Sequence, residues 1–467
     1  MITLTAHGAA EEVTGSKHLL DTGRTTVLVD CGMFQGHREE AHKKNLVFPF
    51  SPSSVHTCVN THGHLDHCGL YPLLVKEGFD GDIVSTSATR DIAGLVLEDS
   101  ARIQAYDARF LDNQQKKNPR PWRKVFPPLY SPEDVREAMS RYVALAYGRA
   151  REIAPGVRAT LYDAGHILGS ALARLELEGG MAVGFTGDLG RPGLPLLRDP
   201  EVIPPVDVLV CESTYGDRLH DPIDTAEEEL ADVVRKTVAQ GGRVIIPAFA
   251  VERTQELIYF LHRLHKAGRI PAIPVFVDSP MAVSATTIFR AHEDCYDAEA
   301  VEEFLDNGES PFTFQALRYI TDSAESKKLN DLTAPCVIIS SAGMCEAGRI
   351  LHHLLHGIGD DRNTVLIVGF MAQNTLGRAL ADKRPEVTIF GERHPVRARV
   401  KILNAFSAHA DYKEIGDYVG KLDQGRLKKI LLVHGEPDAQ ANLRAHLNAL
   451  GHSDVRILKA GEPVQLD

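Results

Sequence analysis

The stretch Thr61-His62-Gly63-His64-Leu65-Asp66-His67-Cys68-Gly69 constrains this chain more than any other. It packs three histidines and a carboxylate into six positions, as H-x-H-x-D-H. Residues 55–60 upstream read as a short strand and residues 68–74 downstream as an apolar helix, so the motif sits where a strand passes into a helix. Residues two apart in extended chain point the same way, which pairs His62 with His64. Asp66 and His67 open the helix and swing to a different side, an arrangement that suits two neighbouring metal ions better than one. Imidazole nitrogen and carboxylate oxygen are both ligands that zinc accepts. A polar turn with Asp66 as helix N-cap would account for one of these residues and leave the other three without a reason.

At 467 residues the chain is long for one domain, and two are expected. Hydrophobic residues at 43% and charged residues at 24% describe a soluble globular protein. A net charge of −12 is unusual for a binder of polyanions, so any phosphate-binding surface must be local, and bound cations would make it so. The seven cysteines (31, 58, 68, 211, 295, 336 and 345) form no C-x-x-C pair, which reads as buried, reduced thiols and a cytoplasmic protein. Residues 1–8 lack the basic start and apolar run of a leader, no segment approaches a membrane span, and no membrane role is expected.

Taken in order, residues 27–32 read as a buried strand ending in Asp30, ahead of a glycine-containing loop. Residues 91–110 carry apolar positions at helical spacing, and Pro132-Glu133-Asp134 opens a second helix expected to reach Ala146. Between them, residues 116–124 form a basic patch around the chain's only Trp, which is either a phosphate-contacting and base-stacking segment or a solvated loop. His166 follows in a glycine-flanked loop, and the strand at 182–185 leads to Asp188. Another buried strand ends in Glu212. From 217 to 404 the texture is β-α-β-α, the mark of a mainly parallel sheet with helices on its faces. Residues 405–467 return to the earlier vocabulary, with His409 in S-A-H-A-D and a buried strand ending in His434. The expected organisation is therefore a first domain over 1–216 completed by 405–467, with an α/β domain over 217–404 inserted into it.

The H-x-H-x-D-H stretch resembles the signature of the metallo-β-lactamase superfamily, whose fold is an αββα sandwich. Asp30 matches its first motif, where a carboxylate orients the metal-site loop without binding metal, and His166 and Asp188 match its third and fourth. Glu212 in E-S-T-Y-G, His409 and His434 in V-H-G-E resemble motifs A, B and C of the β-CASP nucleases, which carry an inserted α/β domain and cut RNA or DNA. The resemblance runs from Gly8-Ala9-Ala10 to the last strand. It is stronger to the compact bacterial RNases than to relatives with an N-terminal RNA-binding extension or the C-terminal domain of RNase J.

Carried over residue by residue, the resemblance implies two zinc ions. His62, His64 and His166 hold one; Asp66, His67 and His434 hold the other; Asp188 bridges them. It implies a ribonuclease that hydrolyses single-stranded RNA by metal-activated hydroxide, His434 being the motif C residue of the RNA enzymes. Asp66, Glu212 and His409 are the expected catalytic residues. An imidazole titrates near neutrality, and Glu212 beside it would fit His409 to protonate the leaving ribose oxygen, the alternative being that His409 only supports a ligand carboxylate. Phosphate contacts are expected at Ser340, Ser341, Gly343, Thr375, Arg378 and Ser407, where glycines and helix starts offer backbone N–H groups, or else form tight βα turns. Endonuclease action is expected ahead of, or alongside, 5′-3′ exonuclease action. A DNA nuclease of the same family and a small-molecule hydrolase of the same fold are the rival readings, and a homodimer stays open.

Overall fold

Alternation of buried and turned-away residues along short apolar strands builds two sheets that face each other. The computed structural model describes every residue except 37, 118–124, 370 and 372–374. All but two residues of the basic patch thus lie outside the described residues. The chain divides into two compact units, one made of Met1–Pro192, Asp199–Leu219 and His409–Asp467, the other of Gly193–Arg198 and His220–Ala408.

In the first unit, one seven-stranded sheet runs in the order Pro463–Gln465, Thr3–Ala6, His18–Asp21, Thr26–Val29, Thr57–Val59, Asp82–Ser85, Tyr142–Ala144. The other runs Val455–Ile457, Lys429–Leu432, Val208–Cys211, Ala182–Phe185, Ala171–Leu177, Val157–Asp163, Arg151–Ala154. Each sheet is antiparallel at one side and parallel at the other. Every second residue of facing strands enters one shared core: Val27 and Val29, Val157, Ala159 and Leu161, Ala171, Ala173 and Leu175, Val183 and Phe185, Val208 and Val210. The opposite face of the first sheet (Leu28, Cys58, Ile83) packs on the helices Tyr71–Lys76, Ser87–Lys117 and Pro132–Ser140. That of the second (Leu209, Cys211, Ile430, Leu432) packs on Tyr412–Gly420 and Pro437–Ala449. The result is the expected αββα sandwich.

One element departs from expectation. The helix opened by Pro132 stops at Ser140, and Tyr142–Ala144 is a strand instead of the helix's continuation. The β-formers Tyr142 and Val143 extend the sheet beyond Asp82–Ser85, and this tertiary pairing overrides the helical run before it.

The second unit is a six-stranded, fully parallel sheet in the order Leu317–Tyr319, Val275–Val277, Val337–Ser340, Val244–Pro247, Thr364–Ile367, Arg399–Ile402, with a separate two-stranded hairpin. Residues 193–198 belong to this unit: Leu197 bridges Tyr296, and the Leu196 carbonyl accepts from the Asp297 amide at 3.0 Å. All seven cysteines are buried and unbridged. Among the described residues, no helix is long and apolar enough to cross a membrane.

Candidate metal centre

Parallel strands end in step, and that brings distant residues to one edge of the first unit. In the first sheet Val29 pairs with Val59, so Asp30 and the Asn60-Thr61-His62 turn leave their strands together. In the second, Phe185 pairs with Val210 and Val210 with Leu431, so the segments carrying Asp188, Glu212 and His434 emerge side by side. His166 arrives from the hairpin between Val157–Asp163 and Ala171–Leu177. Its loop is pinned where the Thr86 and Thr89 hydroxyls both donate to the Gly169 carbonyl at 2.7 Å.

Among the described residues, three overlapping groups of possible ligand atoms converge there, the third (Asp188, Glu212 and His434) sharing Asp188 with the first and His434 with the second. In the first, His64 Nδ1 lies 3.2 Å from His62 Nε2 and 3.4 Å from His166 Nε2, while Asp188 Oδ2 is 3.4 Å from His62 Nε2 and 3.5 Å from His166 Nε2. A tetrahedral zinc with bonds of about 2.0–2.1 Å has ligand–ligand edges of about 3.3–3.4 Å. The side chains are therefore already spaced for a cation of that size. In the second group His67 Nε2 and His434 Nε2 are 3.1 Å apart, and His434 Nε2 is 3.5 Å from Asp66 Oδ2. Asp188 joins this group through its other oxygen, Oδ1, 3.2 Å from His67 Nε2. That oxygen is buried and receives no hydrogen bond, as suits a carboxylate built to hold a cation.

The electrostatics point the same way. Asp30, Asp188 and Glu212 are almost wholly buried, and Asp66 is partly so. Among the described residues the ion-pair partners of these four acids are histidines and no Lys or Arg. Carboxylates concentrated this way demand positive charge, which a bound cation supplies directly. Burial holds His64 neutral, its pKa down to about 3, which leaves a lone pair for a metal.

Around the ligands stands a set of supports. Asp30 accepts from the Thr61 amide at 2.8 Å, from the Thr61 hydroxyl at 2.8 Å and from His67 Nδ1 at 2.8 Å, leaving His67 Nε2 turned to the centre. The Thr61 hydroxyl, its proton given to Asp30, sits 3.1 Å from His62 Nδ1 and frees His62 Nε2 likewise. Asn60 donates to the His62 carbonyl at 2.8 Å and accepts from the Tyr142 hydroxyl at 3.0 Å, so the unexpected strand braces the ligand loop. Asp30 and His434 both hold positive φ, +61° and +51°. Non-glycine residues pay of order 1–3 kcal/mol for such backbone, and here hydrogen bonds fix it: Asp30 N–H to Val59 O at 2.8 Å, His434 N–H to Ala9 O at 2.6 Å.

His409 belongs to none of these groups, and Glu212 reaches only the third, with oxygens already engaged by other donors. Glu212 Oε1 accepts from the Leu189 amide at 2.6 Å and lies 3.1 Å from His409 Nδ1. His409 is clipped to the segment behind Asp188 by a bridge to Gly190, and its ring centroid lies 4.5 Å from that of His166 with the planes tilted by 46°. Burial would lower its pKa, but Glu212 and Asp188 outweigh burial and raise it to about 9.

Sequence reasoning gave no role to Thr214. Its hydroxyl donates to the His434 carbonyl at 3.2 Å and lies 3.0 Å from His434 Nδ1, placed to accept from that nitrogen while Nε2 faces Asp66 and His67. Its only signal was its place two residues after Glu212; the pairing of two strands makes it a partner of a residue 220 positions away.

The expected phosphate contacts lie in the second unit. Ser340 is buried and its hydroxyl donates to the Asp278 carbonyl at 2.8 Å; the Ser341 hydroxyl donates to that of Ser279 at 3.0 Å. Thr375 caps the helix Leu376–Ala381, accepting from the Arg378 amide at 3.1 Å, and the Arg378 guanidinium pairs with Asp382 at 2.8 Å. The Gly377 amide donates to the Met344 carbonyl, joining the loop of Ser341 and Gly343 to that of Thr375. Ser407 is buried. Asp278, at the end of the strand Val275–Val277, is fully buried among Ser326, Arg349 and His353 at 2.6–2.7 Å.

An αββα sandwich with this ligand set at its strand ends is that of a metallo-hydrolase. Comparison with known families agrees: residues 14–248 match the metallo-β-lactamase superfamily, 254–380 the Beta-Casp domain, and 393–458 a Zn-dependent metallo-hydrolase RNA specificity domain. The chain belongs to the β-CASP ribonuclease branch of the metallo-β-lactamase superfamily. It is 38% identical to Ribonuclease TTHA0252 of Thermus thermophilus, over 98% of each chain. It is 32% identical to the transcription termination factor FttA of Pyrococcus horikoshii, over 96% of this chain and 68% of that one. A crystal structure of an Enterococcus faecalis protein of unknown function shares the fold, with a TM-score of 0.53 at 12% identity over 99% of both chains.

The Thr214 contact predicts that Thr214→Val loses about 10–100-fold in affinity at one metal position, as for other partners of ligating histidines. Thr214→Ser should retain most of it. Chelator competition with metal analysis reads this, and equal affinity of Thr214→Val and wild type would show the contact to be idle.

Proposed function

We propose that this chain is a zinc-dependent ribonuclease that hydrolyses phosphodiester bonds of single-stranded RNA, acting in RNA processing or decay in the cytoplasm. The observation that carries this reading is the pair of ligand groups sharing Asp188, with the Glu212–His409 pair beside them. The match to an RNA specificity domain and the ribonuclease name of the Thermus relative support RNA as the substrate. Endonucleolytic cutting, ahead of or alongside 5′-3′ exonuclease action, is part of the proposal.

Cations held by the two groups would lower the pKa of water and neutralise phosphate oxygens. The chain's own residues do the rest. Asp188 ties the two groups together through its two oxygens. Asp30, Thr61 and Thr214 keep His67, His62 and His434 in one tautomer each. His409 holds a proton for the departing ribose 3′-oxygen, and Glu212 accepts from Nδ1 to fix the ring and favour its protonated form.

Purified protein should contain about two zinc ions and lose RNase activity to a chelator. Asp188→Ala should empty both positions and His434→Ala chiefly one. Active protein free of transition metal by elemental analysis, or Asp188→Ala with both metals and normal turnover, would refute the assignment.

Incubation with 5′-labelled single-stranded RNA, RNA duplex and single-stranded DNA, read on one gel, tests the substrate. Internal cuts confined to the single-stranded RNA are expected. Equal rates on the duplex remove the single-strand reading, and equal rates on DNA favour the rival nuclease.

His409→Ala should keep its metals while losing about 10²–10⁴ in rate, the range of general acid catalysis. RNA carrying sulfur in place of the 3′-bridging oxygen needs little protonation to depart and should recover much of that loss. Equal crippling on both substrates would make His409 a structural support.

A further inference from the structure

The second unit has an aromatic side chain whose exposure nothing in the metal chemistry explains. Phe249 is 48% exposed, while its neighbours Pro247, Ala248, Ala250 and Val251 are buried. It does not hang from a loose loop, because its carbonyl accepts from the Thr254 hydroxyl at 2.6 Å and from the Thr254 amide at 3.3 Å. Its ring lies against the backbone of Gly343: a Cβ at 343 would stand 3.0 Å from ring atoms Cδ2 and Cε2 and 3.1 Å from the Phe249 nitrogen. The loops thus hold the phenyl group in place and leave much of its surface to solvent.

Its position in the sheet is particular. Phe249 follows the strand Val244–Pro247 and Gly343 follows Val337–Ser340, and these strands are parallel neighbours. From Val244–Pro247 the chain crosses to Val275–Val277 on one side, and from Val337–Ser340 it crosses to Thr364–Ile367 on the other. Right-handed crossovers in opposite directions send the two connections to opposite faces, the arrangement beside which open α/β sheets bind ligands at the carboxyl ends of their strands. Phe249 and Gly343 stand in contact at that point.

We propose that Phe249 is a stacking platform for an unpaired nucleobase of the substrate strand, in a subsite formed by the loops 248–252 and 341–348. A flat aromatic surface takes any base and selects little by sequence, and it requires a base free of its duplex partner. The proposal rests on the ribonuclease reading and deepens it, by assigning part of the single-strand preference to this unit.

The test uses the full chain with its metals. Steady-state cleavage and anisotropy titration are run on a short unstructured RNA, and on the same strand with abasic sites along its whole length, for wild type, Phe249→Ala and Phe249→Trp. On intact RNA, Phe249→Ala should raise KM and Kd by about 5- to 100-fold, the loss expected for one base stack. Phe249→Trp should bind as tightly as wild type or more so. On the abasic strand wild type and Phe249→Ala should bind alike, an equality that a merely structural Phe249 would not produce. Metal content and thermal midpoint of each variant report the fold independently. An unchanged KM for Phe249→Ala in an enzyme that does cut RNA overturns the subsite alone, as does the same loss on intact and abasic strands. Failure of the wild type to bind or cut RNA overturns the ribonuclease reading together with it.

Discussion

Concentrating Asp30, Asp66, Asp188 and Glu212 in one pocket is the constraint on which the first unit depends. Buried carboxylates need compensation, and no Lys or Arg among the described residues pairs with these four. Histidines supply lone pairs as well as protons, so a pocket of acids and imidazoles is also a set of metal ligands. Asp188 is its centre, each carboxylate oxygen belonging to a different group.

That arrangement is costly to hold, and the surrounding structure does so in layers. Two sheets bury a common apolar core, and their parallel halves end at one level. Asp30 and His434 adopt left-handed backbone that hydrogen bonds enforce. Hydroxyls of Thr61 and Thr214 and the carboxylate of Asp30 decide which ring nitrogen of each histidine is free. The distinction between Glu212 and the ligands follows from the same logic: its oxygens are taken by the Leu189 amide, the Thr214 amide and His409.

The second unit obeys a different rule. Its sheet is parallel throughout and its four inner strands read as nearly continuous apolar runs, as in sheets covered on both faces. Chemistry-bearing residues therefore collect at strand ends, where Asp278, Ser340 and Ser341 serve the fold and Phe249, braced on Gly343, keeps much of its ring exposed.

Much of the site was legible in the chain. His62, His64, Asp66 and His67 declare themselves by local spacing, since periodicity decides side-chain direction within a strand or helix turn. Asp30, Glu212 and His434 mark buried strand ends, which apolar runs reveal. The chain alone could not show that Tyr142 leaves a helix to join a sheet edge and brace Asn60, or that residues 193–198 belong with the second unit. Nor could it show that Thr214 sets the tautomer of His434, or that Phe249 leans on Gly343. Each of these depends on which strands become neighbours, a long-range outcome of packing two apolar faces. The sequence by itself determined the candidate ligands and the order in which they occur; only the tertiary structure decided their spacing, because a gap of 3–4 Å between residues hundreds apart is set by strand register.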